Sequence, residues 1–364
     1  MSESGNRSGG RRFSLANSGL LTALVLALGL TTLGLVWHAH LHGKLHKLST
    51  TTIPPEAQPQ ARPGGQDLLE LQHMAQTSTD PQFSNARIMP GVGMGLLQLS
   101  LATPDGDTMD VLHATPLAEV AKSLTPEKNE PTPSLLFAPF SMKVYPADGS
   151  GPGEELLGKR PALESRNDIL PGGNGATGDF PSEATTPESG TKLPPSGIES
   201  RVSYTLSSRG LDIAISAKNV SQQPRAVVIA WTPQFKVPDS GMQSIRIVPP
   251  DTTASTNNRS ATSEFPLGTA AVQRTWTGLR YSYLSTGPEL RLKNLGDGYA
   301  LRMIALTPSI RSIRLEAPRS GSSVSVRFGS DADGNKTVID PGDSLQWRLR
   351  ILPIPTDGYT PLSE

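Results

Sequence analysis

Apolar and polar side chains alternate with period two over much of residues 198–353. Arg201-Val202-Ser203-Tyr204-Thr205-Leu206, Leu211-Asp212-Ile213-Ala214-Ile215-Ser216-Ala217, Ala226-Val227-Val228-Ile229-Ala230-Trp231 and Ser244-Ile245-Arg246-Ile247-Val248 each read as a half-buried strand. Turn chemistry such as Ser207-Ser208-Arg209-Gly210 separates them. The habit returns in residues 289–295, 299–306, 310–316, 323–328 and 344–352, while helical periodicity is nearly missing after residue 125. Many short strands with no interleaved helices predict an all-β fold, an antiparallel sandwich in one large domain at 84–355. In Ile310-Arg311-Ser312-Ile313-Arg314-Leu315 the basic side chains fall on a different face from part of the apolar set, which predicts a solvated sheet face. Trp347 alternates with Leu345 and Leu349 and belongs to the core. No repeat of fixed period runs through 84–355, which argues against a solenoid or propeller.

Alternation fails in three places. Residues 19–37, GLLTALVLALGLTTLGLVW, carry no charge over 19 positions, long enough at about 1.5 Å per residue to cross a bilayer as one helix. The apolar run exceeds that of a cleavable signal and ends in Trp37-His38-Ala39-His40 without a small-x-small site, so an uncleaved anchor is expected. Arg7, Arg11 and Arg12 precede it and only Lys44 and Lys47 follow closely, which places the tail 1–18 in the cytoplasm and the rest outside it, in the periplasm of a Gram-negative cell. Residues 38–83 read as a juxtamembrane segment and Pro-rich flexible spacer with one short helical-looking stretch at 66–75. His38, His40, His42 and His46 lie in it, with no carboxylate or Cys beside them to complete a metal site. Residues 146–198, with GSGPGEE, PGGNGATGDFP and TTPESGTKLPPSG, read as a long loop insertion. Residues 356–364 form a C-terminal tail.

Composition narrows the chemistry. Among 364 residues there are 35 Gly and 33 Pro with only 5% aromatic side chains, so part of the chain is not packed core. Equal numbers of basic and acidic side chains, 33 each, give no electrostatic footprint for nucleic acid. Cysteine is missing, which removes disulfides, thiolate metal sites and thiol nucleophiles. No Gly-x-Ser-x-Gly elbow, P-loop or dinucleotide fingerprint stands in a strand–helix context. Asp331-Ala332-Asp333-Gly334-Asn335-Lys336 lacks the closing Glu of a calcium loop and reads as a hairpin turn. No cofactor and no metal are expected.

Four segments in order carry a resemblance. Gly91-Val92-Gly93-Met94-Gly95-Leu96-Leu97-Gln98-Leu99-Ser100, followed by Met109-Asp110-Val111-Leu112, looks like an opening hairpin. Ser134-Leu135-Leu136-Phe137-Ala138-Pro139-Phe140 is similar to the next strand. The stretch from Tyr204 to Phe235, ending in Thr232-Pro233-Gln234-Phe235, resembles a strand pair closed by a His-Pro-Tyr-Phe turn. Ile339-Asp340-Pro341-Gly342-Asp343-Ser344 resembles a Pro-Gly-Glu turn before a last strand. Together they resemble the aldose 1-epimerase, or galactose mutarotase-like, superfamily over about residues 86–353. That resemblance implies a large antiparallel β-supersandwich that binds sugars. In the family a carboxylate takes the proton of the anomeric hydroxyl while a His protonates the ring oxygen.

Carried onto this sequence, the family's substrate Arg falls at Met142 or Lys143, a first His at Pro171, the general-acid His at Thr232, and the general-base Glu at Arg327 or Phe328. Thr does not protonate a ring oxygen at neutral pH, and Arg is no base. The catalytic pair is therefore expected to be missing. His113 reads as a partly buried imidazole, and Glu264 and Glu316 are the acidic groups open to a displaced role. Sugars also stack on aromatic rings, so Trp231, Phe235, Trp276, Tyr281 and Tyr283 join Lys143, Thr232 and Arg327 as candidate substrate-binding residues.

Three readings follow. The first is a membrane-anchored, extracytoplasmic carbohydrate-binding or assembly subunit, a pseudoenzyme beside an envelope or membrane-complex protein partner, held to the membrane through 19–37. The second is a divergent but active epimerase acting on hexoses. The third is a structural β-sandwich that binds protein.

Overall fold

Among the described residues the alternating segments pair into strands and no α-helix forms. The structure, a computed structural model, describes residues 62–73, 80–102, 107–116, 137–158, 160–170, 173–182, 196–208, 210–253, 263–282, 287–296 and 299–356. The expected membrane span, cytoplasmic tail, His-rich segment and C-terminal residues 357–364 lie outside them, and no helix among the described residues is long and apolar enough to cross a membrane.

The strands in chain order are β1 (Leu69–Gln72), β2 (Gln82–Met89), β3 (Gly95–Ala102), β4 (Thr108–Asp110), β5 (Phe140–Pro146), β6 (Glu154–Glu155) and β7 (Glu164–Leu170). Next come β8 (Gly173–Phe180), β9 (Ile198–Ser207), β10 (Gly210–Asn219), β11 (Arg225–Trp231), β12 (Gln234–Lys236), β13 (Arg246–Val248) and β14 (Phe265–Pro266). The last are β15 (Val272–Trp276), β16 (Glu289–Gly296), β17 (Tyr299–Ala305), β18 (Ser312–Ala317), β19 (Ser323–Gly329), β20 (Thr337–Ile339) and β21 (Ser344–Pro355). β1 to β4 form an antiparallel meander. A nine-stranded sheet runs β14-β13-β16-β17-β21-β10-β9-β8-β7, and an eight-stranded sheet runs β15-β18-β19-β11-β5-β6, with β12 on β19 and β20 on β11. The all-β antiparallel sandwich expected from the sequence is thus the observed fold.

Phe140 on β5 joins the two large sheets. Its ring meets Trp231 of the same sheet at 6.3 Å, and Tyr204 of β9 and Trp347 of β21 at 5.9 and 6.3 Å across the sandwich, the last edge-on. These geometries suit aromatic quadrupoles and add to the area each ring buries. Trp347 is fully buried, as its alternation requires.

Two boundaries differ from the sequence reading. Of the helical-looking stretch 66–75, the described residues 66–73 are not helical: 69–72 form β1, which pairs with 85–88 of β2, and fully buried Leu71 enters the core. The folded part therefore begins inside the expected spacer. Residues 146–198 are not one loop, because β6, β7 and β8 lie there and β8 pairs with β9 over its whole length. β8 (GNGATGDF) has a weak apolar signal because its close packing requires small residues: a Cβ on Gly178 would stand 2.5 Å from the Met94 sulfur.

Candidate functional site

In the eight-stranded sheet β11 lies between β19 and β5, and register sorts their side chains. Trp231 stands opposite Phe140 on one side and Phe328 on the other, and all three point into the core. One residue along, Ala230 stands opposite Ser141 and Gly329, and Val228 opposite Lys143. Period two puts Ser141, Lys143, Tyr145, Val228, Ala230, Thr232 and Arg327 on the open face of this sheet. After β19 the chain reverses at 332–335 in a two-residue turn: Asn335 N–H donates to Ala332 O at 2.8 Å, with φ of 52° at Asp333 and 81° at Gly334. This is the primed hairpin geometry that Asp-Gly favours. It carries Asp331 and Lys336 over the open face, and the half-open cavity there is about 340 Å³, within the ordinary range of small-ligand clefts.

Charge dominates the cavity wall. Arg327 Nη2 donates to Asp331 Oδ1 at 2.7 Å, and the approach depends on Gly329, where a Cβ would stand 2.4 Å from the Arg327 guanidinium and 2.5 Å from that carboxylate. Lys336 Nζ donates to Gly149 O at 3.0 Å and lies 4.5 Å from the centroid of the Tyr145 ring. The ring also receives the backbone of Gly153, whose φ of 67° and close approach exclude a side chain. Lys143 is exposed and stands opposite Glu155 of β6. The Glu155 carboxylate accepts from Met142 N–H at 2.9 Å and Ser141 Oγ at 3.0 Å; burial still holds its pKa above the ordinary value, against those bonds and the Lys143 charge.

The structure brings together three of the eight expected site residues, Lys143, Thr232 and Arg327. Of the alternatives at these positions, Met142 and Phe328 are fully buried in the core, while Lys143 and Arg327 line the cavity. The aromatic platforms are corrected. Trp231 and Phe235 are fully buried and present no ring face to a ligand. Trp276 stands opposite Ile313, which stands opposite Phe328, so it is on the core side of the sheet, away from Arg327. Tyr281 packs against the core and donates its hydroxyl to Ile310 O at 2.7 Å, and burial raises its pKa. Tyr283 and Pro171 lie outside the described residues.

Other candidates fall elsewhere. Glu264 pairs with Lys293 at 2.6 Å on the nine-stranded sheet. Glu316 pairs with Arg314 at 2.7 Å and does not line the cavity. His113 has Nε2 3.5 Å from Ser322 Oγ and is likewise not in the lining. Tyr145, Asp331 and Lys336 were not expected at the site. Tyr145 shares Lys143's alternation and could have been placed from it; the direction in which the 332–335 turn leans carries no sequence signal.

No family model and no curated protein sequence matches this chain. Solved structures do match in fold. The Slr1438 protein of Synechocystis sp. PCC 6803 superposes with a TM-score of 0.55 at 11% identity, over 79% of this chain and 96% of the other. A Klebsiella pneumoniae protein provisionally assigned as an aldose 1-epimerase superposes with a TM-score of 0.50 at 12% identity, over 75% of this chain and 77% of the other. At these identities the likeness is one of fold, and it is the galactose mutarotase-like fold that the sequence resemblance implies.

Proposed function

We propose that this chain, which carries the galactose mutarotase-like fold, is a carbohydrate-binding or assembly subunit whose domain has lost the epimerase acid and base. One observation carries the reading: Thr232 and Arg327, at the positions where the resemblance expects the general-acid His and the general-base Glu, line one open cavity with Lys143. A threonine hydroxyl holds its proton at neutral pH and a guanidinium has no lone pair to accept one. The remaining carboxylate of the lining, Asp331, is engaged by Arg327. A wall of this kind binds polyols through hydrogen bonds and supplies no matched pair for proton transfer across a pyranose ring.

The same proposal places the domain outside the cytoplasm, anchored through residues 19–37 beside an envelope or membrane-complex partner. The uncharged run and the preceding arginines support the anchor. Tethering raises the local concentration of a binding module at a surface polymer or membrane complex without any new contact.

Anomer exchange NMR on the full-length protein with several hexoses, with saturation transfer to the sugar protons recorded in the same tube, tests the reading. Saturation transfer without faster interconversion is the expected result. Acceleration above buffer would make the protein a divergent epimerase, and neither signal would move it to a protein-binding sandwich.

A further inference from the structure

We infer that the ligand of this cavity is an acidic saccharide, one whose ring carries a carboxylate or sulfate group; the inference rests on the carbohydrate reading above and narrows it. The wall presents three cations, Lys143, Arg327 and Lys336, and one carboxylate, Asp331. Arg327 and Asp331 satisfy one another at 2.7 Å. Among the described residues no carboxylate lies within ion-pair distance of Lys143 or Lys336. Two acidic groups whose charge reaches them are hydrogen-bonded to other partners. Glu155, opposite Lys143, is bonded to Met142 N–H and Ser141 Oγ, and Asp148, whose charge reaches Lys336, accepts from Ser150 N–H at 2.9 Å in an exposed turn.

Lys336 is positioned rather than loose. Its ammonium donates one proton to Gly149 O and faces the Tyr145 ring, an arrangement that fixes a cation while leaving its other N–H groups for a ligand. With the ammonium over it and Gly153 against it, the Tyr145 ring is not an open platform for a pyranose. Among the described residues no other aromatic side chain lines the cavity. Recognition therefore passes through charge and hydrogen bonds, and the charge without a direct ion pair is positive. A carboxylate or sulfate between Lys143 and Lys336 gains charge-assisted hydrogen bonds that a neutral hexose does not. The sugar hydroxyls have Ser141 and Thr232 beside them on the same face.

The test is calorimetric titration of the full-length protein with three probes at two salt concentrations: an oligogalacturonate, the same oligomer as its methyl ester, and inorganic phosphate. The expected result is binding of the acid roughly tenfold or more tighter than of the ester, weakened by salt. Lys336→Gln and Lys143→Gln should each lower affinity for the acid roughly tenfold and lower affinity for the ester by a clearly smaller factor. Lys143 is exposed, so its variant retains the fold, and an unchanged circular dichroism melt checks both. Equal binding of acid and ester, indifferent to Lys336→Gln, overturns the acidic class and leaves the carbohydrate reading standing. Phosphate binding as tight as the acid overturns the saccharide. Binding of none of the three, together with no saturation transfer from neutral hexoses, overturns the carbohydrate reading itself.

Discussion

The Lys336 ammonium sits 4.5 Å from the centroid of the Tyr145 ring, in the wall of the cavity that the Arg327–Asp331 ion pair also lines. The two residues come from distant parts of the chain, one on β5 and one just past the 332–335 turn, so their contact ties the turn to the open sheet face. Tyr145→Leu removes the ring face and keeps the bulk. Affinity for an acidic oligosaccharide should fall roughly two- to fivefold, while Tyr145→Phe should change it little, because the ring rather than the hydroxyl meets the ammonium. Titration of both variants checks this, and equal losses from the two would refute the assignment.

Tyr204 anchors the nine-stranded sheet to the first meander. Its hydroxyl donates to Met94 O at 2.6 Å in a fully buried setting, and burial raises its pKa well above the ordinary tyrosine value. Met94 has a φ of 58°, a left-handed conformation uncommon for a side chain of this size. Tyr204→Phe keeps the ring against Phe140 and leaves the Met94 carbonyl without its donor. It should cost about 1–3 kcal/mol. The expected readout is a lower urea midpoint with an unchanged slope.

Much of this architecture was legible in the alternation of the chain, and the reasons it stops are local. Strands such as β10 and β21 declare themselves because every second residue enters the core, as Ile213, Ile215, Leu349 and Ile351 do. β8 does not, since Gly178 stands where Met94 approaches and leaves no room for a side chain, and β1 is too short for its one buried leucine to outweigh a polar surround. At the site, order of motifs was enough to bring Lys143, Thr232 and Arg327 to one cavity. Aromatic content misled: in a chain with few aromatic side chains, Trp231, Phe235 and Trp276 were needed for packing. The parity of β18 already implied this for Trp276, once its pairing with Ile313 is known.

Glu155 makes stability depend on pH. Its folded-state pKa is raised, chiefly by burial, so the folded chain holds this proton more tightly than the unfolded chain does. Its contribution is therefore most favourable below the ordinary carboxylate range and declines as pH rises through the folded pKa. Glu155→Gln keeps an acceptor for Met142 N–H and removes the charge. The unfolding free energy of the variant relative to the parent should increase from about pH 4 to about pH 7. Chemical denaturation of both proteins across that interval measures it, and a difference that is flat or falls with pH would contradict the assigned direction.

Asp331 separates a charge argument from a packing argument. The Arg327–Asp331 pair is about 30% exposed at each partner, where such pairs contribute about 0–1 kcal/mol to stability. Asp331→Asn should therefore leave the melting temperature nearly unchanged while removing the one carboxylate among the described lining residues and freeing the Arg327 guanidinium. If acidic saccharides bind here, their affinity should rise, roughly threefold to tenfold, and the gain should shrink with added salt. A neutral hexose should respond little, having no charge for the freed guanidinium to meet. The substitution strengthens binding where most site substitutions weaken it, so damage to the fold cannot imitate the expected result. A loss of affinity for the acidic ligand with an intact melt would show instead that Asp331 accepts hydrogen bonds from the sugar hydroxyls, with the cavity built for neutral rings.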